Sequence, residues 1–131
     1  MSQPFIFVST SRLKPGKLDA YRDYWQEFCR DIESREPRLI AINAYVNETA
    51  TEVTVVQVHP DVASMQVHME VARERIGTAY AEFLEATTEI RVFGHLTEEA
   101  TAMMKQLAGP DVAFSVSPVG IGGFTRSGAS A

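Results

Sequence analysis

The chain has 131 residues, of which 45% are apolar and 22% charged, as is ordinary for one globular domain with a buried core. Its formal net charge of −5 and the scatter of its Lys and Arg residues argue against nucleic-acid and anionic-membrane partners. The single Cys29 excludes an internal disulfide, and no apolar run reaches the length of a membrane span or of a signal-peptide core. We therefore expect a protein of the reducing cytoplasm that binds neither nucleic acid nor membrane.

The first half of the chain predicts a strand, a helix and a pair of strands. Residues 5–10 are apolar and β-branched, which is typical of a strand. The helix that follows ends before Pro37 and has one apolar stripe at spacings of three and four, formed by Leu18, Tyr21, Trp25, Phe28 and Ile32. Residues 39–46 and 52–59 are typical of two strands joined by a polar turn, which predicts a hairpin.

The second half of the domain repeats the succession of helix and strand. Asp61 is the predicted N-cap of a second helix, whose apolar stripe includes Met65 and Met69. Gly77 predicts a kink or an interruption, after which residues 79–85 are helical again. Residues 88–95 predict a fourth strand.

The order β-α-β-β-α-β predicts a ferredoxin-like α+β domain over residues 1–96, with two helices on one face of a four-stranded antiparallel sheet. Residues 97–131 form a C-terminal extension. It consists of a helix at 98–107, a fifth strand at 112–116 on a sheet edge or against a partner subunit, and a flexible Gly/Ser-rich tail from Pro118. We expect the extension to pack on a partner subunit or to cover a ligand site.

Side chains alternate between the two faces of the sheet. We assign to the helices an almost wholly aliphatic phase made of Ile6, Val8, Ile40, Ile42, Ala44, Val46, Thr54, Val56, Val58, Ile90 and Val92. The opposite, mixed phase contains Phe5, Phe7, Ser9, Leu39, Ala41, Asn43, Tyr45, Val53, Val55, Gln57, His59, Arg91, Phe93 and His95. This phase is too apolar to face water, which predicts a homodimer through the sheet face. The alternatives are cover by the extension, or an exchange of faces at a bulge.

Two stretches carry a resemblance to a known family. LKPGKLDAYRDYW after the first strand, and VVQVHPDVASMQVHM across the third strand and second helix, resemble antibiotic biosynthesis monooxygenase-like domains of the dimeric α+β barrel superfamily. The resemblance covers about residues 5–95 and implies a dimer with facing sheets and a cavity between the sheet and the helices of each subunit. Some members oxygenate aromatic or quinol-like substrates with dioxygen, without metal or flavin, and others degrade haem.

The chain departs from the haem-degrading members. Its first strand has no Asn, its second helix has no Trp, and its single Trp25 lies on the first helix, so haem degradation is not expected. No P-loop, paired-carboxylate or zinc spacing is present, and we expect neither metal nor cofactor. His59 and His95 end strands two spacings apart, about 9–10 Å, which is too far for one metal. Both are predicted to lie at a dimer rim.

His68 is the candidate catalytic residue, because a histidine in the second helix is common in such domains and its side chain suits a general base. The alternative is a half-exposed helix histidine. Asn43, Tyr45 and Arg91 are candidate substrate-binding residues, with Arg91 favouring an anionic or phenolate group. They would otherwise pair with each other across a dimer axis. Trp25 is a fourth candidate, with a core role as the alternative.

Three functions remain open at this point. The first is a cofactor-independent monooxygenase that acts on a small aromatic or polyketide-like molecule, and whether the chain is an enzyme is not decided. The second is a non-catalytic or stress-related module that binds a small apolar ligand. The third is a structural dimer without a pocket. The fold does not choose among them, because function depends on the site.

Overall fold

The computed structural model describes residues 3–126, which form one five-stranded sheet with three helices. Along the chain the elements are β1 (Phe5–Leu13), α1 (Leu18–Arg35), β2 (Ala41–Val46), β3 (Glu52–His59), α2 (Val62–Glu82), β4 (Leu84–Phe93), α3 (Glu98–Ala108) and β5 (Ala113–Ser117). The strand order is β2-β3-β1-β4-β5, antiparallel except for the parallel β4–β5 pair. The predicted ferredoxin-like α+β fold is confirmed, with the fifth strand on a sheet edge.

The second helix is continuous through Gly77, so the predicted interruption is absent. Gly77 is exposed, and a lone glycine lowers the stability of a helix by about 1 kcal/mol relative to alanine. The packing of Ile76, Ala79 and Tyr80 against the core outweighs this loss. Asp61 caps this helix as predicted, because its carboxylate accepts a hydrogen bond of 3.0 Å from the N–H of Ser64. β4 begins at Leu84 rather than at residue 88, directly after the helix.

The assignment of β1 and β3 to the sheet faces was wrong. Phe5 and Phe7 of β1, with Gln57 and His59 of β3, are buried on the helix side. The outer face carries the aliphatic residues Ile6, Val8, Val56 and Val58. Both phases of these two strands are apolar, so alternation carries little contrast, and the polar pair Gln57–His59 is satisfied by a hydrogen bond inside the core.

The assignment of β2 and β4 agrees with the structure. Ile42 and Ala44 of β2 pack under α1, and Ile90 and Val92 of β4 are buried beneath the helices. The predicted faces are thus correct for two strands and wrong for the other two, and the outer face is still rich in apolar side chains. The apolar face on which the predicted dimer depends is therefore present, but it is formed by different residues.

The predicted extension takes part in the core. Ala100 and Met104 of α3 are buried in one cluster with Phe5, Met65 and Val92, and Thr97 caps the helix by accepting from the N–H of Ala100. Residues 118–126 form neither helix nor strand, and the end of the predicted flexible tail, 127–131, lies outside the described residues. Within residues 3–126, no helix has the length and apolar character needed to cross a membrane.

Candidate functional site

A cavity of about 120 Å³ lies between the helices and the sheet and opens toward solvent. Its walls come from β1, β2, β3, β4 and all three helices, and they are mainly apolar. The volume is close to that of a core cavity known to hold benzene, ~150 Å³. The cavity implied by the family resemblance is therefore present, and it is large enough for an aromatic ring.

His68 of α2 lies in the cavity wall and is held by Glu36, the residue that follows α1. Both side chains are buried, at 3% and 2% exposure. Nδ1 of His68 lies 3.2 Å from Oε1 and 3.0 Å from Oε2 of Glu36. Because a carboxylate only accepts, Nδ1 donates, which sets the tautomer and the orientation of the ring. The alternative of a half-exposed histidine is thereby excluded.

The second ring nitrogen of His68 is available to a ligand. No described residue forms a hydrogen bond with Nε2. Every buried side-chain nitrogen and oxygen of the described residues nevertheless has a partner, so Nε2 lies at accessible surface. With the proton on Nδ1, a neutral ring presents a lone pair on Nε2, which is the state required of a general base.

Glu36 is not among the residues predicted from the sequence, although its position on the apolar stripe of α1 indicates that it is buried. It follows Ile32 by four residues and thus continues the apolar stripe of α1 one turn further. A carboxylate at a stripe position is a buried charge that requires a partner. His68 carries the same signal, three residues after Met65 and on the stripe of α2.

His59 is the second buried histidine, and its ring centroid lies 6.0 Å from that of His68. Its Nε2 donates to Oε1 of Gln57 at 2.9 Å, and its Nδ1 accepts from Oγ of Ser64 at 2.7 Å. Burial, with a smaller effect of the neighbouring His68, lowers the pKa of His59 to about 3. The predicted rim position of His59 is wrong, because these two hydrogen bonds satisfy the ring inside the core. His95 is exposed beyond β4.

Three hydroxyl groups form a chain elsewhere in the cavity wall. Oγ of Ser11 lies 2.9 Å from Oγ1 of Thr87, and the hydroxyl of Tyr80 is hydrogen-bonded to the same Thr87 oxygen. Ser11 of β1 and Thr87 of β4 are buried, whereas Tyr80, near the end of α2, is half-buried. The polar part of the cavity wall thus consists of the imidazole, this hydroxyl chain and the side chains of Ser9 and Gln57, and the other lining residues are apolar.

Of the residues predicted for the site, the structure brings together His68 and Trp25. Trp25 lines the same cavity and packs on Phe28, with ring centroids 5.4 Å apart. Trp25 also borders a second cavity of about 100 Å³, between α1 and β2, which Tyr45 lines.

Asn43 and Arg91 lie on the outer face of the sheet, across the sheet from His68. Asn43 is paired with Val56, and Arg91 is paired with Val8 while its guanidinium lies 5.2 Å from the centroid of the Phe93 ring. Within one subunit these two side chains do not reach the cavity. The described part of the chain also contains no cluster of three His, Cys, Asp or Glu residues suited to a metal ion.

No protein-family model matches this chain, and no curated protein matches it in sequence. Solved structures do match. MupZ from Pseudomonas fluorescens is 18% identical with a TM-score of 0.71, over 99% of this chain and 100% of that one. The protein PA3566 from Pseudomonas aeruginosa is 15% identical with a TM-score of 0.61, over 74% of this chain and 98% of that one.

A further match is described as an antibiotic biosynthesis monooxygenase. It is 16% identical with a TM-score of 0.59, over 71% of this chain and 99% of that one. The match to MupZ includes the C-terminal helix and strand, since it covers nearly the whole chain. At these identities the likeness is one of fold. The chain has the ferredoxin-like α+β fold of antibiotic biosynthesis monooxygenase-like structures, as the sequence resemblance predicted.

Proposed function

We propose that the chain is an enzyme that binds a small aromatic or polyketide-like molecule in the cavity and oxygenates it without a cofactor, with His68 as the general base. The observation that carries the proposal is the pair His68–Glu36, buried in the wall of a mainly apolar cavity with Nε2 accessible. A carboxylate that orients an imidazole, which in turn faces a substrate cavity, is a recurrent arrangement for proton abstraction.

Stability alone explains the pair poorly. Two buried polar groups of this kind are often no more stabilising than apolar residues of similar volume. A purely structural histidine would also be expected to use both ring nitrogens, as His59 does. The unshared nitrogen on the cavity side is what favours a chemical role for His68.

The reaction that fits is the conversion of an activated CH₂ group to a carbonyl by dioxygen. His68 takes a proton from the activated carbon or from its enol or phenol form, and the resulting anion transfers electrons to O₂. Oxygen bonds to that carbon and the peroxide takes back the proton held by His68, which gives a hydroperoxide. The second hydrogen of the carbon then leaves as a proton, the C=O bond forms as the O–O bond breaks, and the leaving hydroxide takes that proton to become water. The balance is R₂CH₂ + O₂ → R₂CO + H₂O, with dioxygen as the oxidant.

The apolar walls favour a flat aromatic substrate. Trp25 and Phe28 present aromatic side chains to the cavity, and offset or edge contacts between rings add to the free energy of burial. A cavity with little polar surface also keeps water away from the carbanion and the hydroperoxide, which limits side reactions.

The test is substrate-dependent oxygen consumption with a panel of phenols, naphthols and anthrone-type ketones. We expect at least one compound to be turned over, and His68→Gln to lose that turnover. Glutamine still donates to Glu36, so the buried carboxylate keeps a partner. The matched control is Val67→Gln, which makes the same side chain one position away on the exposed surface of α2 and leaves turnover unchanged.

Non-catalytic binding of a small apolar ligand is the second candidate, and the mainly apolar cavity supports it. It predicts saturable binding of compounds from the same panel, with no oxygen consumption above the rate without protein. That result, or full activity of His68→Gln, would overturn the enzymatic proposal.

We also propose that two copies pair through the outer sheet face. Ile6, Val8, Val56 and Val58 form a continuous aliphatic surface there, and Tyr45 is 63% exposed beside it. Exposed apolar patches of this kind mark interfaces. Asn43 and Arg91 on the same face would then pair across the dimer axis, and their predicted part in substrate binding would need a separate site. The reducing cytoplasm remains the proposed location, because the lone Cys29 requires no oxidising compartment.

The dimer is tested by Val56→Lys, which puts a charge at the centre of the outer face. We expect sedimentation velocity to show a dimer for the native chain and a folded monomer for the variant. Glu74→Lys, at an exposed position of α2 on the other side of the sheet, is the control and should remain dimeric. A monomeric native chain would contradict the proposal.

A further inference from the structure

We propose that the hydroxyl chain Ser11–Thr87–Tyr80 is a second binding subsite of the cavity, at which the Tyr80 hydroxyl donates a hydrogen bond to a carbonyl oxygen of the ligand. The inference deepens the proposed function and rests on it for the choice of cavity. It does not require catalysis, because the hydroxyl chain would recognise a product or an inert ligand equally well.

A count of protons carries the argument. Three hydroxyl groups bring three protons, and the two hydrogen bonds Ser11–Thr87 and Thr87–Tyr80 use two of them, whichever way each bond runs. No other hydrogen bond links these three oxygens to the described residues. Each oxygen has a partner, yet one proton remains without an acceptor in the protein. The remaining proton is therefore available for donation to a ligand that supplies an acceptor.

The burial of the three groups indicates which proton remains. Ser11 and Thr87 are 7% and 5% exposed, whereas Tyr80 is half-buried and lies at the accessible end of the chain. Ser11 therefore donates to Thr87, Thr87 donates to Tyr80, and Tyr80 donates into the cavity. Hydrogen bonds that run in one direction polarise each other, which makes the last hydroxyl a stronger donor.

The acceptor is a neutral carbonyl rather than a carboxylate. None of the described residues that line the cavity is Lys, Arg, Asp or Glu. A carboxylate bound there would lose its hydration without meeting a cation, which disfavours it strongly. A ketone or quinone oxygen needs one good donor, and the hydroxyl chain offers one.

The position of the subsite sets the shape of the ligand. His68 and Tyr80 are twelve residues apart on α2, which corresponds to about 18 Å along the helix axis. The Tyr80 side chain leans toward the N-terminus of the helix and shortens this span, but a single ring would still not reach both groups. A molecule that reached both groups would exceed a cavity of about 120 Å³ and would extend through its opening, so the subsite recognises the carbonyl oxygen of a ligand with about one ring inside the cavity.

The experiment compares the affinity of two bicyclic probes that differ by one oxygen, 1-tetralone and tetralin, by isothermal titration calorimetry. Trp25 is the single tryptophan and lines the cavity, so its fluorescence provides a second readout. We expect the native chain to bind 1-tetralone about tenfold more tightly than tetralin, as one unshared hydrogen bond allows. Tyr80→Phe should reduce that ratio to about one, with tetralin affinity unchanged.

Two further variants separate the outcomes. Ser11→Ala leaves the hydrogen bonds from Thr87 to Tyr80 and from Tyr80 to the ligand intact, so it should keep most of the preference for 1-tetralone. Tyr24→Phe removes a phenol hydroxyl that donates to the Arg75 carbonyl outside the cavity, so it should keep all of that preference. A native chain without preference, or a Tyr80→Phe variant that retains it, overturns the subsite. His68→Gln should keep the preference, so failure of the catalytic proposal would leave this result standing.

Discussion

Two histidines, His59 and His68, lie side by side in the core, and they differ in the number of ring nitrogens that have a hydrogen-bond partner. Each ring is buried, and their centroids are 6.0 Å apart. His59 has a partner on both nitrogens, whereas His68, which lines the cavity, has one on Nδ1 only. Burial and a polar partner are therefore common to both residues, and the unshared nitrogen is the observation behind the proposed catalytic role of His68.

The hydrogen-bond partners of the two rings also differ in charge and in their distance along the chain. Gln57 and Ser64 are neutral and belong to the elements on either side of the β3–α2 turn, so they hold His59 locally. Glu36 carries a carboxylate from the end of α1 to His68, across 32 positions of sequence. A charged partner stabilises the imidazolium that forms when a base takes a proton, and a neutral one does much less.

The largest expected effect is on turnover. His68→Gln should lower kcat/KM for any substrate found in the oxygen-consumption panel by at least about 100-fold, the usual contribution of a general base. His59→Gln should change it by less than about tenfold, because His59 has no nitrogen to offer. Oxygen-electrode kinetics on both variants, with circular dichroism as the folding check, measures the contrast. Equal losses in the two would remove the distinction between these residues.

A smaller effect is expected from Glu36→Gln. The amide oxygen still accepts from Nδ1, so the ring stays in place, but the negative charge that favours the protonated ring during turnover is lost. We expect kcat to fall about tenfold with KM nearly unchanged, which marks a positioning residue rather than a binding one. A rise in KM alone would assign Glu36 to the shape of the cavity instead.

The effect on stability is smaller again and concerns His59 alone. Its pKa is lowered from 6.5 to about 3 by burial, so below pH 6.5 the unfolded chain takes up a proton that the folded chain refuses. Stability contributed by neutral His59 is therefore present above pH 6.5 and is lost as the pH falls toward 3.

Urea unfolding between pH 7 and pH 5 measures this dependence, in a window above the usual titration of carboxylates. The native chain should lose roughly 1 kcal/mol of unfolding free energy per pH unit from this group, and His59→Gln should show a correspondingly flatter profile. Parallel profiles for the two proteins would mean that His59 is protonated in the folded state.

The fold followed from the sequence where periodicity was clear. The stripe of α1, the Asp61 cap of α2 and the order of strands led to the ferredoxin-like arrangement, and the structure confirms each of them. The faces of β1 and β3 did not follow, because their alternate residues are apolar on both sides. Gln57 and His59 added to the error, since polar residues suggest an outer face unless their partner is known.

For the site, the sequence by itself determined that Trp25 lies on the apolar stripe of the first helix and that His68 lies at the edge of the stripe of the second, since stripes arise from local spacing. Only the tertiary structure decided their neighbours. Glu36 meets His68 across 32 positions, and Ser11 meets Thr87 across 76. Such pairs depend on how strands register and helices pack, and no local pattern encodes the distance between two groups that are remote in the chain.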